Sequence, residues 1–191
     1  MPYLMPARPE VEAAAPGPSP TLPALASLGE LRHARPVVVV DNREACPLVF
    51  TRLKAIRGTL YSGDYSALGL EESISIERKS IEDLVGCCMG SNRDRFEREL
   101  LRLRGYRFRR LLVVGSRQDI VEGRYYSRIS PKAVLATLGA FEVRFDLPIV
   151  FAETPEAAAI QVERWVWWFA YETTVSANNL LRGCEKESNE N

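Results

Sequence analysis

A chain of 191 residues, 46% hydrophobic and with no net charge, is long enough for one packed domain and has the composition of an ordinary globular protein. The neutrality hides an uneven placement: residues 36–144 hold 19 Lys and Arg against 14 Asp and Glu, and the two ends hold 6 against 11. Four Cys without a CxxC pair and a single His argue against a zinc site, a disulfide framework and His-based acid–base catalysis, and no run has the length of a membrane span or the character of a secretory leader.

Residues 1–34 are rich in Ala and Pro and lack a sustained period. They read as a flexible leader, with at most a short helix over Leu22–His33. Val37–Val40 is a β-branched run ending in Asp41, the pattern of a buried strand. Pro47–Arg57 suggests a helix with Leu48, Leu53 and Ile56 inward, closed by Gly58. Thr59–Leu68 and Ile74–Lys79 read as two extended segments joined by a turn, a hairpin. Ser80 then fits an N-cap, with Asp83 at the third helical position. Asn92 is expected to cap a helix over Arg93–Arg104, with Phe96, Leu100, Leu101 and Leu103 inward.

Arg109–Gly115 contains a second buried strand, and residues 116–129 read as a polar loop. Ser130-Pro131 and Thr154-Pro155 each open a helix in the cap-then-Pro arrangement. The first runs to about Phe145, and the second to about Glu172. A short strand over Pro148–Phe151 lies between them. Beyond Ser176 the chain reads as a disordered acidic tail, which leaves a domain over residues 35–175. The order β-α-β-β-α-α-β-α-β-α predicts an α/β fold, a three-layer sandwich on a mixed central sheet.

The chemistry concentrates at Ile74–Asp83. Ile74 and Ile76 point to one face of a strand, and Ser75, Glu77 and Lys79 to the other. The Glu77 and Lys79 side chains leave the strand about 6.6 Å apart. Asp64 follows Gly63 on the neighbouring segment. Carboxylates from two adjacent strands can converge on a hard divalent cation, and a Lys beside them can reach water or a phosphate. The plainer alternative is that Glu77 and Lys79 form the solvated face of an edge strand.

Gly63-Asp64-Tyr65 followed by Ile76-Glu77-Arg78-Lys79-Ser80-Ile81-x-Asp83-Leu84 resembles the GD…ERKxxxD signature of the XPF/Hef-type structure-specific endonucleases, within the restriction-enzyme-like PD-(D/E)XK class. Val40-Asp41-x-Arg43-Glu44 resembles that family's first strand and turn, and Ser91–Phe96 its Arg-bearing helix start. The order of elements agrees from about Arg35 to Trp168. The resemblance implies a restriction-endonuclease-like fold and an Mg²⁺-dependent DNA endonuclease, with Mn²⁺ able to substitute. It implies Asp64 and Glu77 as metal ligands, with the backbone carbonyl of Arg78 and, as a further candidate, Glu44. Lys79 would position or activate water, and Asp83 would be a second acid, a role compatible with its helix cap. Asp41, Arg43 and Arg78 would support the cluster.

Arg93, Arg95, Arg98 and Arg102 offer a phosphate-binding helix face, or else a salt-bridged one. The loop with Arg124, Tyr125, Tyr126 and Arg128 either stacks on unpaired bases or packs as an ordinary loop. Trp165, Trp168 and Phe169 form a core stripe, with a homodimer or heterodimer interface on the last helix as the alternative. Cys87 and Cys88 read as buried, inert thiols. The resemblance suggests branched DNA (flaps, forks, junctions) in repair or recombination. There is no room after the last helix for a tandem helix-hairpin-helix domain, so branch selectivity is an open expectation. The rival is a non-catalytic DNA-binding or scaffold subunit, which typically lacks the acids and Lys present here. The compartment is expected to be reducing and intracellular: cytoplasm or nucleoid for a prokaryotic or viral chain, nucleus for a eukaryotic one.

Overall fold

The apolar runs of the sequence become the middle of one sheet. The computed structural model describes residues 33–189. Its strands are β1 (Val38–Asp41), β2 (Ala55–Gly58), β3 (Tyr65–Ala67), β4 (Ile74–Ser80), β5 (Phe108–Val114) and β6 (Ile149–Ala152). The helices are α1 (Ile81–Gly86), α2 (Gly90–Leu103), α3 (Arg117–Val121), α4 (Pro131–Phe145) and α5 (Pro155–Asn189). The sheet order is β2-β1-β3-β4-β5-β6. β3 runs antiparallel to β1 and β4, while β1–β2, β4–β5 and β5–β6 are parallel. The expected hairpin is therefore β3–β4, and the parallel steps from β4 to β5 and from β5 to β6 pass through helices.

Alternation along the strands divides the core in two. On one face Val38, Val40, Ile74, Ile76 and Leu112 pack on Ala158, Ala159, Val162 and Val166 of α5. On the other, Leu111 and Val113 pack on Leu84 of α1, on Phe96 and Leu100 of α2, and on Phe141 of α4. Each fully buried Leu, Ile or Phe contributes about 1.5–3 kcal/mol. Glu77 and Lys79 have the opposite parity to Ile76, so they face the α1–α2 layer. β4 is central, between β3 and β5, so the solvated edge-strand alternative is overturned.

Several local expectations change. Residues 47–54 form no helix, and Ala55–Gly58 is the edge strand β2. The amides of Thr51, Arg52 and Leu53 all donate to one oxygen of Glu163 on α5, at 3.0, 2.6 and 3.0 Å. A tertiary acceptor thus takes the place of intrahelical bonds. Gly58 is a packing residue, not a cap: a Cβ there would lie 2.8 Å from Val39 Cγ1. Helix α2 begins at Gly90 after Met89, so Asn92 is not its cap. Within the expected loop 116–129, Ser116 and Asp119 close a reciprocal capping box on α3.

The last helix runs to Asn189, past the expected stop near Glu172 and through the start of the expected disordered tail. No Pro interrupts it, and the Thr173 and Thr174 hydroxyls bond back to the carbonyls of Phe169 and Ala170. The leader, and the short helix expected within it, fall almost wholly outside the described residues. No helix among the described residues is long and apolar enough to cross a membrane.

Candidate active site

Local backbone chemistry brings Asp64 to β4. Gly63 has φ +81°, and a Cβ there would lie 2.3 Å from Ser75 Oγ. Only Gly lets the chain approach β4 so closely. The next residue is then tied on both sides: Asp64 N–H donates to Ile76 O at 2.8 Å, and Asp41 N–H donates to Asp64 O at 2.9 Å. The Asp64 carboxylate accepts from the Arg78 amide at 2.7 Å. The GD pair is thus a close-approach glycine followed by the acid that it delivers.

Glu77 is 2% exposed in the centre of the sheet. Its Oε1 pairs with Lys79 Nζ, and its Oε2 is buried without a partner. Lys79 Nζ lies 5.3 Å from the centroid of Phe96 on α2. Burial, followed by the neighbouring Asp64 carboxylate, pushes Glu77 up to about 8. Burial likewise pushes Asp64 up to about 6, although the Arg78 amide and Lys79 oppose it. Burial works to lower Lys79, but the Glu77 carboxylate outweighs it, so the ammonium form is held above its usual range. Two acids thus face one ammonium.

The other predicted acids are already engaged. Asp41 is 1% exposed and accepts from the Arg43 amide, the Arg43 guanidinium and, at 2.7 Å, the Leu60 amide. Burial opposes ionisation there, but these donors hold its pKa below the usual value. Arg43 also donates to Leu60 O, so the pair staples the turn after β1 to the segment leading to Asp64. The Arg78 side chain leaves the opposite face of β4 and forms a two-pronged pair with Glu44, both bonds at 3.0 Å. Glu44 accepts from the Cys46 amide as well. Ser80 and Asp83 exchange bonds at 2.7 and 3.1 Å, the helix-cap geometry.

These residues line a continuous cleft. One lobe, of about 380 Å³, has Glu44, Asp64, Lys79, Asp83 and Arg95 in its walls. An adjoining lobe, of about 200 Å³, shares Asp64 and Lys79 and adds Glu77, Glu99, Tyr61 and Arg102. Of the four predicted arginines, Arg95 and Arg102 reach the cleft. Arg93 pairs with Glu97 and sits over the Phe141 ring, and Arg98 lines neither lobe. Glu99 and Tyr61 were not singled out from the sequence. For Glu99 the available signal is the 95/99/102 helical stripe; nothing marks Tyr61 until the Asp41–Leu60 bond is known. Cys87 and Cys88 are buried free thiols, and burial pushes both pKa values up.

Among the described residues no three His, Cys, Asp or Glu side chains are arranged around one metal position. The donors nevertheless fit a hard cation of the Mg²⁺ kind, which keeps much of its water and takes one or two carboxylates plus substrate phosphate. Glu77 Oε2 is buried without a hydrogen-bond partner, next to the half-buried Asp64.

A six-stranded mixed sheet flanked by helices, with this acid–Lys cluster on a central strand, is the XPF nuclease fold. The model of the ERCC4 domain matches residues 40–164, and the chain belongs to that family. Among solved structures it is similar to XPF from Aeropyrum pernix, with a TM-score of 0.56 and 24% identity over 69% of this chain and 60% of that one. It is also similar to XPF from Aeropyrum pernix in complex with DNA, with a TM-score of 0.54 and 22% identity over 71% of this chain and 66% of that one. The chain therefore spans less than two thirds of either, and the likeness shows the fold. No curated protein matches the chain.

Proposed function

We propose that this chain is a metal-dependent DNA endonuclease, carried by a domain over residues 35–175 and acting on branched DNA in repair or recombination. The observation that carries the reading is the buried Glu77, with one oxygen unpartnered, beside Asp64 and Lys79 in an open cleft. Nothing in the packing of a sheet calls for two repelling acids and a half-buried ammonium at its centre, and such an arrangement is costly unless it serves chemistry. In this reading Asp64 and Glu77 hold Mg²⁺, with the Arg78 carbonyl as a further donor. Glu44 and Asp83, with Arg43, Asp41 and Arg78 behind them, shape the surrounding wall. Bound Mg²⁺ would stabilise the charge that develops on the phosphate as water attacks in line. Lys79, held protonated, acts as a donor to phosphate or water and not as a base. Arg95 and Arg102 hold neighbouring phosphates, with Arg93 and Arg98 in weaker positions to do so. The exposed Trp168 of α5, edge-on to Tyr171, supports an interface with a second chain on that helix.

The test is cleavage of labelled flap, fork and duplex DNA with Mg²⁺ or EDTA, beside Glu77→Gln and Lys79→Ala. Metal-dependent cuts that both substitutions abolish are expected. Cleavage that persists in Glu77→Gln would sink the site, and tight binding without any metal-dependent cutting would favour the scaffold subunit.

A further inference from the structure

Two tyrosine rings stand in solvent by the cleft: Tyr61 lines one lobe, and Tyr126 is bonded through its N–H to Glu82 in the wall of the other. Tyr126 is 97% exposed and Tyr61 80% exposed. Neither is on a loose tip. Tyr61 follows Leu60, which is buried and bonded through its N–H to Asp41 and through its carbonyl to Arg43. On its other side Ser62 O accepts from Ser75 Oγ at 2.8 Å. The Tyr61 backbone is therefore fixed, and its ring lines the lobe that holds Asp64, Glu77 and Arg102.

Tyr126 is fixed differently. Its N–H donates to both oxygens of Glu82, each at 3.2 Å, and Glu82 lines the other lobe beside Asn92 and Arg95. The preceding ring, Tyr125, packs on the core and donates to Ile129 O at 2.8 Å. Arg124 is tied to Asp119 and Glu122. The loop is thus built, and it spends one tyrosine on the core and holds the next one out. Tyr61 lines a lobe together with Arg102, and Tyr126 is tied through its N–H to Glu82, which lines a lobe together with Arg95. Neither arginine has an acid partner among the described residues.

A ring held on a fixed backbone loses little freedom when a flat ligand stacks on it. Base pairs inside a duplex present no free face to such a ring, whereas an unpaired base does, whatever its identity. We propose that Tyr61 and Tyr126 are stacking posts for unpaired nucleotides beside the cleft that holds Asp64, Glu77 and Lys79, so that this domain itself selects DNA bearing a single-stranded arm. The inference rests on the DNA reading above and supplies a branch reader within the nuclease domain.

The test is binding, read apart from cleavage. Fluorescence anisotropy with a labelled oligothymidine and a labelled hairpin duplex, in Ca²⁺, compares wild type with Tyr61→Ala, Tyr126→Ala and the two Tyr→Phe variants. Each Ala variant should weaken oligothymidine binding by about fivefold or more. The single-strand to duplex affinity ratio should fall with it, and the Phe variants should restore it. A 2-aminopurine in the single strand should be quenched by wild type and less so by the Ala variants. Unchanged oligothymidine binding, equal loss on both DNAs, or Phe variants as weak as Ala would overturn the posts. That outcome, together with cleavage still abolished by Glu77→Gln, leaves the nuclease reading intact. Wild-type protein that binds neither DNA overturns both.

Discussion

Removing the charge of Glu77 should change how stability depends on pH. Burial first, then Asp64, raises its pKa from 4.5 to about 8. An acid whose pKa rises on folding binds its proton more tightly in the folded chain. Its contribution to stability is full below pH 4.5 and is lost as pH climbs towards about 8. At about 1.4 kcal/mol per pH unit, the loss without metal is on the order of 5 kcal/mol, a large part of the stability of a typical domain. Asp64, raised to about 6, steepens the lower part of the same slope. Cys87 and Cys88, raised further by burial, stay above that window. Mg²⁺ bound at the two acids should flatten the curve. Urea unfolding of wild type and Glu77→Gln between about pH 5 and 8, in EDTA and in Mg²⁺, measures this. In EDTA the wild type should weaken steadily as pH rises, and Glu77→Gln should keep only the Asp64 part of the slope. A wild-type curve that is flat from pH 5 to 8, or a slope unchanged in Glu77→Gln, refutes the reading of Glu77 as an uncompensated buried acid.

Gly63→Ala should destabilise the fold by about 1–3 kcal/mol, because a Cβ at positive φ meets Ser75 Oγ. It should also push Asp64 off β4, so that Mg²⁺-dependent stabilisation in a thermal melt shrinks. Glu163→Gln, on the far side of the sheet, should cost about 2–3 kcal/mol in urea unfolding by weakening the charged acceptor of three amides, while DNA affinity per folded molecule stays the same. DNA binding should weaken as salt rises. Arg95→Ala and Arg102→Ala should each lower the slope of log affinity against log salt by about 1. Arg93→Ala, whose guanidinium is taken by Glu97 and Phe141, should lower the slope by much less.

The parts legible in the sequence are those set by local pattern. The β-branched run of β1, the alternation of β4, the Ser80 cap and the Ser130-Pro131 start of α4 all depend on neighbours within a few residues. The stretch 47–54 was not legible, because Leu48, Leu53 and Ile56 match a helical period while the acceptor of its amides lies 110 residues or more away, on α5. For the same reason Glu163 reads as one more surface acid of an amphipathic helix. The Arg78–Glu44 pair crosses 34 residues and was equally hidden. On α2 the charges alternate in sign, so composition marks the helix as basic but not which arginines face the cleft. Phe96 reads as inward from the sequence alone; what only the fold supplies is that the neighbouring stripe of Arg95, Glu99 and Arg102 lies in the cleft walls with Asp64 and Lys79.

What separates the acids of this chain is how far their oxygens are already satisfied. Asp41 accepts from Arg43 and Leu60, Glu44 from a guanidinium fork and an amide, and Asp83 from its own cap, so each is accounted for by the fold. Glu163 is 3% exposed and likewise has an unpartnered oxygen, but its other oxygen anchors three amides. Glu77 alone combines near-complete burial, an unpartnered oxygen and a facing carboxylate, with a single ammonium to offset both charges. Removing a neighbour's donor would destabilise Asp41 or Glu44, whereas adding a divalent cation would stabilise Glu77. On the proposed reading, a central strand more stable with a cation than without one would carry, in that free-energy difference, the binding energy of the metal. The same difference would give the site a reason to sit on β4: the flanking strands and α2 limit the water that would otherwise screen the two acids, so a cation held there would gain more than one at an exposed acid elsewhere on the chain.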